Sequence, residues 1–171
     1  MGKIDVDLVP GRSTTRQAII FTKESHMSTI TPFLWFNGQA EEAAKFYTSI
    51  FKNSRIESIS PMSATFHLDG QKFMALNGGP QFTFTEAISF FVNCKTQAEI
   101  DELWEKLSAD GTTQMCGWLK DKFGISWQII PSVLGNMLQD EDEEKSQRVM
   151  NAMLQMTKLD THVLTKAYEG R

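Results

Sequence analysis

The sequence predicts an α+β protein with two tandem βαβββ units that form a curved mixed β-sheet with outer helices, followed by C-terminal helices. Two observations predict the units. The order strand, helix, strand, strand, strand occurs twice, and each copy contains one segment with helical spacing of its apolar residues and several segments in which apolar and polar residues alternate. A third observation, that only helical patterns follow Val133, predicts the C-terminal extension.

Composition limits the kinds of partner and setting. Of the 171 residues, 41% are hydrophobic and 22% are charged, which is typical of a soluble globular protein. The net charge of −4 argues against nucleic-acid binding, which needs basic patches. No apolar run approaches the roughly 20 residues that span a bilayer. Two cysteines without a CxxC pair favour a reducing compartment, so we expect a cytoplasmic protein with no membrane or nucleic-acid partner.

Residues 1–26 are expected to be an expression leader. They mix charges and turn residues without a sustained period, and Ser25-His26-Met27 resembles a cloning scar before a start methionine. The paired βαβββ domain is then expected over residues 27–134, with its first unit at about 29–80 and its second at about 86–131. A C-terminal helical extension is expected over residues 135–171.

The first unit starts with a strand over Thr29–Asn37, rich in aromatic residues. A helix over Gln39–Phe51 follows, with apolar residues on one face and charged residues on the other. Alternation predicts strands at Arg55–Ser60 and Ala64–Leu68. Asp69-Gly70 predicts a tight hairpin turn into a further strand, Lys72–Asn77.

The second unit repeats this order. Ala87–Asn93 is predicted to be a strand, and Thr96 with Glu99 forms a capping box that starts a helix ending at Asp110-Gly111. Further strands are predicted at Thr112–Cys116 and Ser126–Ile130, with a turn at Lys120–Gly124. The sequences FLWFN and SFFVN occupy matching positions in the two copies. The alternative is an unrelated α+β sandwich whose halves look alike by chance.

Past Val133 the pattern is helical. The acidic cluster Gln139–Glu144 favours a helix N-terminus, and Asp160 can cap a last helix running through Tyr168. Between them lies an apolar stripe of Val149, Met150, Met153, Leu154 and Met156. Such a methionine-rich stripe is more typical of core or dimer packing than of a ligand site.

Four sequence blocks resemble a known family: TPFLWFNGQAEEAAKFYTSIF, FMALNGGPQFTF, EAISFFVNC and CGWLKDKFGISWQIIP. They are similar to the PhnB-like branch of the vicinal-oxygen-chelate superfamily, which includes glyoxalase I, bleomycin-resistance proteins and extradiol dioxygenases. The branch often carries the label 3-demethylubiquinone-9 3-methyltransferase. The resemblance covers residues 29–168 and implies the glyoxalase/bleomycin-resistance/dioxygenase fold. It also implies a homodimer, because in this architecture a partner unit often completes the groove.

The resemblance also gives the positions where metal-using relatives carry His or Glu ligands. These positions hold Thr31, Asn77, Ala87 with Glu86 beside it, and Gln128. A divalent metal needs several imidazole or carboxylate ligands, so we expect no tightly bound catalytic metal. The three histidines, His26, His67 and His162, have no ligand spacing. No cofactor is predicted, since no glycine-rich turn of the S-adenosylmethionine-binding type follows a strand.

A pocket remains expected without the metal. Asn77 and Gln128 are expected as pseudo-equivalent amides facing a groove, each able to donate and accept hydrogen bonds. The aromatic candidates for its walls, each with a core alternative, are Trp35, Trp118, Trp127, Phe90 and Phe73. For Gln128 the pocket is the favoured interpretation, because an amide within the apolar segment WQIIP needs a hydrogen-bond partner. Asn77 can instead cap the strand before Gly78-Gly79. Glu86 and Thr31 complete the candidates.

Other reactive side chains carry weaker signals. Cys94 and Cys116 have no neighbouring histidine in sequence, so they are predicted to be small buried hydrophobes rather than nucleophiles. Asp121-Lys122 is predicted to be a solvated turn.

Three functions are consistent with these features. The first is a metal-independent protein that binds a small, partly aromatic or amphipathic molecule. The second is an enzyme, either a metal-dependent lyase, isomerase or dioxygenase or the methyltransferase of the family label. The third is a dimerisation scaffold. The sequence leaves open whether the chain catalyses a reaction.

Overall fold

The structure, a computed structural model, describes residues 30–171, so the predicted leader at residues 1–26 lies outside the described residues. The first unit consists of β1 (Phe33–Phe36), α1 (Ala40–Ile50), β2 (Arg55–Ile59), β3 (Ser63–Leu68) and β4 (Gln71–Asn77). The second consists of β5 (Ser89–Cys94), α2 (Gln97–Ser108), β6 (Thr112–Thr113), β7 (Trp118–Lys120) and β8 (Ser126–Pro131). The helices α3 (Leu134–Leu138), α4 (Glu143–Met153) and α5 (Thr161–Glu169) complete the chain.

Each unit forms its own four-stranded mixed sheet with the same topology. The strand orders are β1-β4-β3-β2 and β5-β8-β7-β6. In each sheet the first strand runs parallel to the last, whereas the other pairs are antiparallel. This confirms the predicted α+β class and the doubled βαβββ order. The units were expected to continue as one curved sheet, but the two sheets are separate and the units join through side chains.

Local sequence features explain several element boundaries. The Thr96 hydroxyl accepts a hydrogen bond from the Glu99 backbone N–H at 3.2 Å, and the Glu99 carboxylate accepts one from the Lys95 N–H at 2.7 Å. These bonds satisfy amides that a helix start leaves unpaired. Asp69 and Gly70 both adopt positive φ, as a two-residue hairpin turn requires. A strand was predicted over Thr112–Cys116, but β6 covers only Thr112–Thr113.

Aromatic side chains fill the junction between the two units. Tyr47 and Phe51 of α1 contact Trp127 of β8 at ring-centroid distances of 5.4 and 5.2 Å. Phe73 of β4 contacts Phe90 of β5 at 5.1 Å. Burial of large aromatic rings is strongly stabilising, so this shared core holds the units together.

A buried carboxylate lies within this aromatic junction. Asp121 is 3% exposed and accepts hydrogen bonds from Tyr47 Oη at 2.7 Å and Trp127 Nε1 at 2.8 Å. It also accepts bonds from the backbone N–H groups of Phe123 and Ile125. Burial raises the pKa of Tyr47 well above its ordinary value, and the Asp121 charge raises it further. The prediction of a solvated turn is therefore wrong for Asp121, whose carboxylate links α1 to the β7–β8 turn.

The C-terminal helices form a second, smaller core. Its buried residues are Ile130, Leu134, Val149, Leu159 and Leu164, and Met153 and Met156 pack against them. The methionine-rich stripe therefore serves intrachain packing, although Leu154 is 49% exposed. The backbone N–H groups of Cys116 and Gly117 donate to Met156 O and Thr157 O, which attaches this extension to the second sheet.

The two cysteines differ in environment. Cys94 is buried, and burial raises the pKa of its thiol to about 11, with Glu99 adding to the effect. Cys116 is half-buried, and its Sγ donates a weak hydrogen bond to Met153 O at 3.7 Å. Since the thiolate is the reactive form, Cys94 is unsuited to nucleophilic chemistry at neutral pH.

Candidate functional site

The face of the second sheet that points away from α2 carries the candidate site. Along β8, Trp127 and Ile129 are buried in the core, whereas Gln128 between them is half-buried. Side chains alternate between the faces of a strand, so Gln128 lies on the opposite face. Its register partners are Phe91 on β5 and Trp118 on β7. Phe91 is 56% exposed, so the amide lies between two aromatic side chains where this face is open, although Ser126 and Ile130 on the same face of β8 are buried.

Gln128 is held by a neighbour on β5. Its Nε2 donates a hydrogen bond to Ser89 Oγ at 2.9 Å. That bond uses one of two amide hydrogens, and the amide oxygen can accept further bonds. The serine fixes the orientation of the amide, which therefore presents both a donor and an acceptor to a ligand.

Glu86 lies at the edge of the same face and is bound to a lysine. Lys120 Nζ lies 2.5 Å from Glu86 Oε1. The hydrogen bond from Lys120 lowers the pKa of Glu86. This ion pair neutralises the carboxylate, and it makes Glu86 a weaker candidate for a metal ligand.

Trp127 and Phe90 lie on the core side rather than beside Gln128. Trp127 is 3% exposed and donates its indole N–H to Asp121. Phe90 packs against Trp127 and Phe73, with ring centroids 5.2 and 5.1 Å away. These contacts favour the core alternative for all three aromatic residues.

Asn77 anchors a helix in the first unit. Its Oδ1 accepts a hydrogen bond from the Ala40 N–H at 2.9 Å, and its Nδ2 donates to Pro61 O at 2.9 Å. Asn77 is paired in register with buried Phe36, whereas Gln128 is paired with exposed Phe91. The expected pseudo-equivalence of the two amides therefore does not hold, because the Asn77 amide already satisfies the start of α1.

Trp35 and Thr31 also belong to the first unit. Trp35 Nε1 donates to Gly79 O at 2.9 Å, and its ring meets Phe82 edge to face at 5.1 Å. A Cβ at Gly78 would lie 2.1 Å from the Trp35 ring, so glycine is needed there. Thr31 is half-buried just before β1. Of the candidates, Trp118 is paired in register with Gln128, and Glu86 is linked to the same sheet through Lys120.

The site includes three residues that were not expected from the sequence: Ser89, Phe91 and Lys120. The alternation of β5 gives Ser89 and Phe91 the same face, but their position beside Gln128 depends on the parallel β5–β8 register. That pairing joins strands distant in sequence, and an isolated strand pattern does not specify its partner.

Metal-binding chemistry has little support in the described part of the chain. Residues 30–171 contain no group of three or more His, Cys, Asp or Glu side chains placed to hold a metal ion. His67 Nε2 lies 2.8 Å from Glu57 Oε2, and Lys72 pairs with the other carboxylate oxygen. These contacts lower the pKa of Glu57, the hydrogen bond from His67 being the largest cause.

Comparisons with known proteins agree on the fold. A family model described as 3-demethylubiquinone-9 3-methyltransferase matches residues 28–130. The PhnB protein from Bacillus cereus is 44% identical, with a TM-score of 0.56, over 58% of this chain and 96% of that chain. No curated protein matches the sequence.

Two further solved structures are more distant. The fosfomycin resistance protein FosX from Listeria monocytogenes, complexed with Mn(II) and sulfate, is 15% identical over 59% of this chain and 87% of that chain, with a TM-score of 0.46. A glyoxalase/bleomycin resistance protein from Albidiferax ferrireducens is 15% identical over 58% of this chain and 93% of that chain, with a TM-score of 0.44. Residues 131–171 lie beyond the range that the family model matches.

Proposed function

The chain belongs to the 3-demethylubiquinone-9 3-methyltransferase family, a PhnB-like branch of the vicinal-oxygen-chelate superfamily, and on this premise we propose that it binds a small molecule without a tightly bound metal. The ligand lies on the open face of the second sheet. The observation that carries the proposal is the Gln128–Ser89 hydrogen bond between Phe91 and Trp118. Sites of this kind combine apolar walls with a few convergent polar groups.

The chemistry of the face supports a partly aromatic, uncharged ligand. Phe91 and Trp118 offer apolar ring surfaces, and the Gln128 amide offers a donor and an acceptor. The nearby Lys120 and Glu86 charges pair with each other, which leaves no net charge at the edge. A ligand with an aromatic ring and a primary amide would match both features.

Replacing Gln128 with leucine tests the site. Leucine keeps a similar volume but removes the amide, so we expect benzamide affinity to fall about tenfold, corresponding to about 1.4 kcal/mol. Isothermal titration calorimetry of wild type and variant measures this. The control is Gln147→Leu, since Gln147 is an exposed amide on α4 bonded to Asn151. Equal losses in both variants, or unchanged affinity in Gln128→Leu, would refute the site.

The alternative is an enzyme, which the family description itself favours. The absence of a glycine-rich S-adenosylmethionine motif in the sequence argues against methyl transfer. A metal-dependent lyase, isomerase or dioxygenase needs charged protein ligands for its metal. Here Gln128 offers a neutral amide bonded to Ser89, and the Glu86 carboxylate is paired with Lys120, so both argue against such a metal site. These two arguments make binding the better-supported function.

Metal analysis and thermal shift separate the two functions. We expect substoichiometric zinc, nickel, iron and manganese in the purified protein, because neutral amides bind these ions weakly. We also expect no rise in the melting temperature with S-adenosylmethionine, since a ligand stabilises only a state that binds it. One metal ion per chain, or clear stabilisation by S-adenosylmethionine, would favour the enzyme.

We also propose a cytoplasmic homodimer that binds neither nucleic acid nor membranes. The first sheet has an apolar open face, on which the paired residues Phe33 and Met74 are 55% and 38% exposed. Contiguous exposed apolar surface favours a protein partner, and a second copy is the partner that the family resemblance implies. No helix within residues 30–171 is long and apolar enough to span a membrane.

Sedimentation equilibrium tests the dimer. We expect a mass of about twice the 19.4 kDa chain for wild type, and a shift toward monomer for Met74→Lys, because a charge would be buried in the contact. Val163→Lys is the control, since Val163 is a similarly exposed residue on α5. A monomeric wild type at all concentrations would contradict the proposal.

A further inference from the structure

A cavity that Gln128 does not line lies at the junction of the two units. Its volume is about 360 Å³, and it is bounded by the start of β1, the segment before β5 and the residue before β8. Its walls include Leu34, Phe84, Phe90 and Ile125, and no charged side chain among residues 30–171 lines it. Phe33 and Ile88, which are exposed in the single chain, also line it and form its open side.

One buried polar group in the wall of this cavity is unsatisfied. Ser126 lines the cavity and is 2% exposed, and its Oγ has no hydrogen-bond partner within the part of the chain that the structure describes. A buried hydroxyl without a partner is costly, and such groups are uncommon in folded proteins. A bound molecule that accepts from or donates to Ser126 Oγ would remove that cost.

The size and lining of the cavity define the class of ligand. A dry cavity of about 150 Å³ can hold benzene, and typical ligand pockets begin near 300 Å³. The cavity therefore has room for one ring with a substituent. Charged molecules are disfavoured, because the apolar lining cannot replace their hydration.

We propose that this cavity is a second binding site for a small neutral molecule with one ring and one carbonyl or hydroxyl oxygen, which forms a hydrogen bond with Ser126. The site does not depend on the proposed function at Gln128. Gln128 does not line the cavity, and its amide is bonded to Ser89 instead.

Two probe molecules of similar shape, together with a variant that lacks only the Ser126 hydroxyl oxygen, test the proposal. Acetophenone and isopropylbenzene have similar shapes, but only acetophenone carries an acceptor oxygen. We expect both to bind the full-length wild type, as seen by ¹H–¹⁵N chemical-shift changes at residues lining the cavity. In Ser126→Ala we expect acetophenone to bind about fivefold more weakly, while isopropylbenzene binding is unchanged or tighter.

Two further measurements complete the test. The melting temperature of Ser126→Ala without ligand should equal or exceed that of wild type, because the variant removes an unsatisfied hydroxyl. In Gln128→Leu the acetophenone-induced shift changes at the residues lining the cavity should persist, which separates this site from the proposed function. Three results would overturn the proposal: no binding of either probe, which indicates a solvent-filled cavity only; equal effects of Ser126→Ala on both probes; or a clear fall in melting temperature.

Discussion

Replacing Asp121 with alanine is expected to lower the free energy of unfolding by about 4 kcal/mol, a large share of the stability of a typical domain. The change removes the acceptor for the Tyr47 hydroxyl and the Trp127 indole N–H, together with two backbone N–H groups. The bonds from Tyr47, Trp127 and Ile125 are buried, so leaving these three donors unpaired is costly. Urea denaturation followed by tryptophan fluorescence measures the loss.

Asp101→Ala is the matched control for this change. The Asp101 carboxylate is exposed and pairs with Lys158 at 2.5 Å on the surface. Surface ion pairs contribute little, so its loss should be far smaller than that of Asp121. If the two alanine variants were equally stable, Asp121 would not have the structural role described here.

Replacing Gly117 with alanine is expected to cost about 3 kcal/mol. Gly117 has φ of +80°, a region that disfavours a side chain. A Cβ would also lie 2.8 Å from Ile129 O and 3.2 Å from Leu159 Cδ1. The substitution thus strains the backbone and pushes against the C-terminal core that Gly117 contacts through its N–H bond to Thr157 O.

The control for Gly117 is another glycine with the same backbone conformation. Gly124 has φ of +89°, and a Cβ there would meet no atom within 4 Å. Gly124→Ala should therefore cost only the conformational strain, about 1 kcal/mol. Denaturation of both variants gives the comparison. Equal losses at the two positions would show that the contacts of Gly117 with β8 and the C-terminal core are unimportant.

The elements of this fold were predictable where a local pattern determines them. Thr96 and Glu99 lie three residues apart before an apolar run, and Asp69-Gly70 separates two alternating segments. Asp160 caps α5 through bonds to the backbone N–H groups of His162 and Val163, as expected. Each of these features depends on residues close in sequence.

The features that the sequence did not indicate depend on long-range contacts. Asp121 lies between Lys120 and Lys122, which is typical of a surface turn, and only the approach of Tyr47 from α1 explains its burial. The role of Asn77 likewise depends on Ala40, distant in sequence. Trp127 and Gln128 are neighbours in sequence, yet strand alternation assigns them to opposite faces. Sequence alone did not show which face is covered.

The location of a bound ligand tests the central proposal most directly. A crystal structure of the full-length protein with benzamide should show the molecule on the open face of the second sheet. We expect its amide within hydrogen-bond distance of the Gln128 side chain and its ring against Trp118 or Phe91. A structure with no benzamide on this face, or with benzamide held there by a metal ion, would contradict the proposal.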